Sequence, residues 1–191
     1  MPANSSRREF LDNVLSASAA VVAVCALGVS AYQTFILRQQ LKQSAWPYLV
    51  QGNSGIAAYS RIVQNVGLGP ALIRSFVVEV DGRPVHYWAE ARELVEARAA
   101  TPPAALPANV RSYGSTLSRG LVLLPGGPFE IYHVDDPVVG ARMRAALNDG
   151  RVHLRVCYCS LYDDCWTNDS QAREPVPTRA CPADSAREFE R

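Results

Sequence analysis

Lysine is almost missing from these 191 residues: Lys42 is the only one, and every other positive charge is an arginine. Schiff-base enzymes, phosphate-binding loops and kinase-type sites all need a lysine in the catalytic domain. Lys42 stands just past an apolar helix, in the wrong place for any of them. Excess charge is missing too, since 19 basic and 18 acidic residues leave a net charge of +1. A phosphate-binding surface needs a concentrated basic patch, and here the arginines are scattered among acids, so nucleic acid is not an expected partner. Histidine is scarce: His86, His133 and His153 occur singly in strand-like segments, and nothing in the sequence pairs them. The redox spacing C-x-x-C is absent, and "SYGST" lacks the second glycine of a nucleophile elbow. Asp135-Asp136 and Asp163-Asp164 have no alternating-oxygen calcium loop around them, and cap and turn roles explain them. No catalytic residue, cofactor or metal ligand is therefore expected from a motif.

What the chain does have is one long apolar run. Residues 14–37, "VLSASAAVVAVCALGVSAYQTFIL", contain no charge, and as a helix they rise about 36 Å, enough for a hydrocarbon core about 30 Å thick. Ser16, Ser18 and Ser30 can return their hydroxyls to the helix backbone, and Cys25 reads as a buried apolar residue of the span. The lipid bilayer is thus an expected partner through this helix. Arg7, Arg8 and the small residues at 29–31 also fit a cleaved signal peptide, against which "FIL" extends the run and Asp12 interrupts its approach. Arg7 and Arg8 before the run balance Arg38 and Lys42 after it, so charge leaves orientation near a tie. The spacing Ser16, Ala20, Val24, Gly28 allows pairing of two copies, but Val24 interrupts it and alanine-rich helices show such spacing by chance.

Beyond the span, residues 38–46 continue a helical stalk, which Pro47 stops while forcing Trp46 out of the helical region. The period then changes from helical to alternating, the mark of half-buried strands. Strands are expected at 56–66 and 71–80, the second with Leu72, Phe76, Val78 and Val80 on one face. Between them "NVGLGPA" reads as a hairpin connection, in which Asn65 opens the reversal, Gly67 and Gly69 supply positive φ, and Pro70 sits where no ladder hydrogen bond is needed. "DGRP" is a turn, and "VHYW" is short and strand-like. An inserted amphipathic helix is expected over 89–100, ended by "TPPAALP", and a second after Asp136. Further strands read at 110–117, 120–124, 129–134 and 152–160. Seven or eight short strands punctuated by turns suggest an immunoglobulin-like antiparallel β-sandwich, mainly β with two short inserted helices. The expected division is a tail at 1–13, a transmembrane helix at 14–37, a stalk at 38–46, a β-sandwich at 47–172 and a loose polar tail at 173–191.

Three of the five cysteines fall within "VCYCSLYDDCW". Alternation puts Cys157 and Cys159 on the same face of one strand, roughly 6.6 Å apart with parallel side chains, so each must find another partner. "SLYDD" is a hairpin-length loop that brings Cys159 opposite Cys165, which favours that bridge and leaves Cys157 for Cys181. The exchanged pairing, Cys157 with Cys165 and Cys159 with Cys181, stays open. So do free thiols and a zinc site, although this spacing lacks the two tight knuckles of structural zinc.

Together "WPYL", "NVGLGPA" and "VCYCSLYDDCW" resemble an uncharacterised group of bacterial proteins with one N-terminal span and a small β-rich domain. The resemblance implies architecture and no activity. The expectation is a single-pass inner-membrane protein with a periplasmic domain, serving as a non-enzymatic binding or assembly module for a protein partner in the envelope. Two alternatives come from other classes. One is an anchored hydrolase or transferase joining His133 or His153 to Asp135 or Asp163, and the other is a cytoplasm-facing sensor with reduced thiols.

Overall fold

The computed structural model describes residues 5–55, 58–98, 110–182 and 186–189. Ile56, Ala57 and the "TPPAALP" terminator lie outside them. The chain divides into two compact units, Met1–Gln43 and Ser44–Arg191.

The described residues of the first unit form one helix, α1 (Ser5–Ser44), which runs unbroken from within the expected tail through the expected span and into the stalk. Nothing in its sequence breaks it: no proline occurs, and the one glycine, Gly28, has open space around it. Ser18 and Ser30 donate to the carbonyls of Leu15 and Ala26. The helix is long and apolar enough to cross a membrane, and its most apolar stretch is entirely exposed.

The second unit is built of antiparallel strands. One sheet runs β1 (Leu49–Ser54), β2 (Tyr59–Asn65), β7 (Phe129–Val134), β5 (Ser112–Gly114). The other runs β10 (Val176–Thr178), β9 (Cys165–Asp169), β8 (Val152–Cys159), β3 (Ala71–Val80), β4 (Arg83–Val85), with β6 (Val122–Leu123) also on β3. Helix α2 (Trp88–Ala97) follows β4, and α3 (Pro137–Asn148) joins β7 to β8. One apolar core draws on both sheets and both helices, from Tyr59 and Val63 through Ile73, Phe76 and Val95 to Met143 and Leu154. Asp136 accepts hydrogen bonds from the Val138 and Val139 amides, so the cap and following proline start α3 where the sequence puts them.

Four expectations between β2 and α2 need correction. The strands at 59–65 and 71–80 do not form a hairpin: β2 pairs with β1 and β7, β3 with β8, and "NVGLGPA" crosses from one sheet to the other. Gly67 and Gly69 are not among the positive-φ glycines. They are small because the chain passes too close: a Cβ on Gly67 would strike the backbone of residues 46–48, and one on Gly69 the backbone of Ala45. In β3 a register shift between Ile73 and Ser75 changes which residues face inward, so Ile73 is buried and Leu72 only half-buried. "VHYW" gives only Val85 to a strand, and Trp88 opens α2.

The C-terminal stretch, expected to be loose, forms β10 and then returns to the domain. Phe189 is 5% exposed, stacks edge-on to Phe76, and its amide donates to the Phe76 carbonyl. That bond falls between β6 and β4 along the same edge of β3, a stretch otherwise open to stray pairing.

Candidate functional site

Asn65 holds together the two motifs "WPYL" and "NVGLGPA". It ends β2 and is 1% exposed. Its Nδ2 donates to the carbonyls of Gly69 (2.9 Å) and Leu123 (2.8 Å), and its Oδ1 accepts from the amides of Gly67 (3.0 Å) and Tyr48 (3.2 Å). The Trp46 carbonyl accepts from the Leu68 and Gly69 amides, and the Val66 amide donates to Tyr48. An amide side chain offers two donors and two acceptor lone pairs, and all are used. This is a structural joint whose polar groups face backbone rather than a ligand.

The cysteines pair as the hairpin geometry predicts. Cys159 and Cys165 stand opposite each other in the β8–β9 register with Cα atoms 4.0 Å apart, and Cys157 bonds Cys181 with Cα atoms 5.6 Å apart. The second bond ties the C-terminal stretch across the outer face of β8. Cys25 is the free cysteine and lies exposed on α1.

The most chemically suggestive cluster lies on the outer face of the first sheet. Ser60 Oγ is 2.8 Å from His133 Nδ1, and His133 Nε2 is 2.8 Å from Asp135 Oδ1. Tyr113 lies flat on the imidazole, with ring centroids 4.7 Å apart, and donates to Glu130 at 2.5 Å. Glu130 also approaches His133 Nδ1 at 3.5 Å. Burial works to raise the Glu130 carboxyl, but the hydrogen bonds from Ser60 and Tyr113 and the imidazole beside it hold it below its ordinary value. The partnership of His133 with Asp135 was anticipated, whereas Ser60, Glu130 and Tyr113 were not. Ile131 is the reason: the register skips from Tyr132 to Glu130 between Arg61 and Ile62, which puts Glu130 on the same face as His133 despite their odd spacing.

A serine, a histidine and an acid in hydrogen-bonded sequence invite comparison with a nucleophilic triad, yet the arrangement departs from one. Ser60 is only 6% exposed. Ser60 also lies on a strand paired on both sides, at Ser54 and at His133, so nearby amides are used in the ladders rather than aimed at an oxyanion. The other histidines are placed differently. His153 Nε2 meets Asp169 at 2.6 Å rather than Asp163, which pairs with Arg74, and His86 Nδ1 contacts the Glu188 carbonyl.

Between the sheets lies a charge the sequence did not reveal. Arg61 is buried and hydrogen-bonds the neutral amides of Asn53 (3.0 Å) and Gln51 (2.9 Å), and burial pushes its guanidinium down from the ordinary value. Gln51 continues the chain to Asn168, which donates to the Leu49 carbonyl. A period-2 reading treats an arginine in such a strand as outward, and only the inward register of its neighbours Tyr59 and Val63 exposes the exception. Comparison with known families, curated proteins and solved structures gives no match to this chain.

Proposed function

We propose that this chain is a single-pass bacterial inner-membrane protein whose second unit is an immunoglobulin-like β-sandwich on the periplasmic side, working as a non-enzymatic binding or assembly module. The observation that carries the reading is the company the cysteines keep: two disulfides in the same chain as an unburied, span-length helix. Disulfides persist in oxidising compartments, and a single anchored span offers a route to one. The sandwich assignment is supported by strand order. Lettered along the chain as A (β1), B (β2), C (β3), C′ (β4), D (β5), E (β7), F (β8) and G (β9), the sheets read A-B-E-D and C′-C-F-G, the immunoglobulin arrangement. Helices α2 and α3 are then insertions in C′–D and E–F, and β10 extends the G edge. Here the disulfides join F to G and F to the C-terminal stretch, in place of a B–F bridge between sheets.

Fusions at the C-terminus test the placement. Alkaline phosphatase there is expected to be active and green fluorescent protein dark, and the reverse pattern puts the domain in the cytosol and overturns the proposal. The Ser60, His133 and Asp135 geometry favours a second reading, an anchored esterase-like hydrolase. Purified full-length chain and its Ser60→Ala variant are expected to hydrolyse p-nitrophenyl acetate equally slowly. A burst of p-nitrophenol from the parent chain that the variant lacks favours the hydrolase instead.

A further inference from the structure

We infer that the end of the domain that carries residues 45–48 is a lipid-contacting face. The inference rests on the anchored reading above. Residues 66–70, 124–128 and 160–164 are three connections that meet at this end beside residues 45–48. Asn65 links the first to Leu123 next to the second, and the pairing of Leu72 with Cys159 brings the third level with them. Each directs apolar side chains outward: Trp46, Val66, Leu68, Leu124, Leu161 and Tyr162 are all exposed, Leu68 by 73% and Leu124 by 68%. Connections are ordinarily polar at their tips, and a contiguous exposed apolar patch marks an interaction surface. The opposite strand ends carry Asp81, Asp135, Asp136, Asp149 and Arg151, whereas at this end exposed apolar side chains outnumber the charges, which are Asp163 and Asp164 of the 160–164 connection.

Position and composition choose lipid as the occupant. Only residues 45–48 separate α1 from β1, so this end is the one the chain delivers first after the span. Tryptophan and tyrosine mixed with leucine and valine is the composition of a membrane interface. Two acids, Asp163 and Asp164, stand in the 160–164 connection, Asp163 at 3.4 Å from Arg74, and the patch carries no basic cluster, so the attraction is apolar and indifferent to salt.

The test uses full-length chain reconstituted in phosphatidylcholine vesicles whose acyl chains are dibrominated near the headgroup. Trp46 is the exposed member of the three tryptophans, and a Trp46→Phe chain isolates its emission. Brominated lipid is expected to quench most of the Trp46 component, unchanged between low and high salt. The triple variant Leu68→Asp, Leu124→Asp, Leu161→Asp is expected to float with vesicles and resist carbonate while losing that quenching. Because quenching is read first in the unsubstituted chain, the result does not depend on the variant folding. Trp46 unquenched in a chain that resists carbonate overturns the inference and leaves the anchor standing. Trp46 shielded from both bromine and aqueous iodide means a second copy or a protein covers the face, which also overturns it. Release by carbonate overturns the anchored reading, and the inference with it.

Discussion

At the scale of single residues, two side chains matter most, and the sequence reveals each only in part. Asn65 stands out as the head of "NVGLGPA", but its partners at Tyr48 and Leu123 are 17 and 58 residues away, and no local pattern announces them. Asn65→Ala leaves two carbonyls and two amides without their partner, and at about 1–3 kcal/mol per buried unsatisfied group the expected loss is about 3 kcal/mol or more. Urea unfolding checks it, and a loss below about 1 kcal/mol contradicts the joint. Glu130 gives a signed pH dependence. Its folded carboxyl lies below its ordinary value, so as pH falls the unfolded chain takes up the proton first. The contribution is therefore present above the ordinary carboxylate range and disappears as pH drops through that range to the folded value. Glu130→Gln is expected to flatten the acid-side fall in melting temperature between about pH 5 and pH 3, and an unchanged slope removes Glu130 from the account.

At the scale of elements, the sequence locates strands better than it pairs them. A glycine-rich connection between two apolar strands looks alike whether the chain turns back within a sheet or crosses to the other. The choice is made by β7 and β8, which lie far along the chain and claim β2 and β3 separately. Bulges at Ile73/Ser75 and Arg61/Ile62 likewise shift faces where strict alternation predicts none. The hairpin β8–β9 was legible because its own loop length fixes the register that sets Cys159 opposite Cys165. The two disulfides close spans of 24 and 6 residues, and chain entropy makes the longer one worth about 1 kcal/mol more. Replacing Cys157 and Cys181 with serine is expected to destabilise the domain more than replacing Cys159 and Cys165, all the more because Phe189 loses its tether. Thermal melts of the two double variants decide it, and equal or reversed losses contradict the strap.

At the scale of the whole molecule, the sequence makes the span-length helix and the disulfide-bonded domain legible, while the core's chemistry had to be seen. Burial raises the Tyr132 and Tyr158 hydroxyls to about 12. The stability they confer is complete below the ordinary tyrosine value and is lost as pH climbs from about 10 toward 12, so alkaline unfolding should begin there and track tyrosinate absorbance. The central claim, that an anchored domain is stitched by disulfides on the oxidising side, is met most directly by counting thiols. Cells expressing the full chain are quenched in acid, denatured and treated with maleimide-polyethylene glycol, with and without prior reductant. The account predicts one labelled cysteine of five before reduction, Cys25, and all five after it. Five labelled cysteines without reductant would mean a reduced, cytosol-facing domain and contradict the claim.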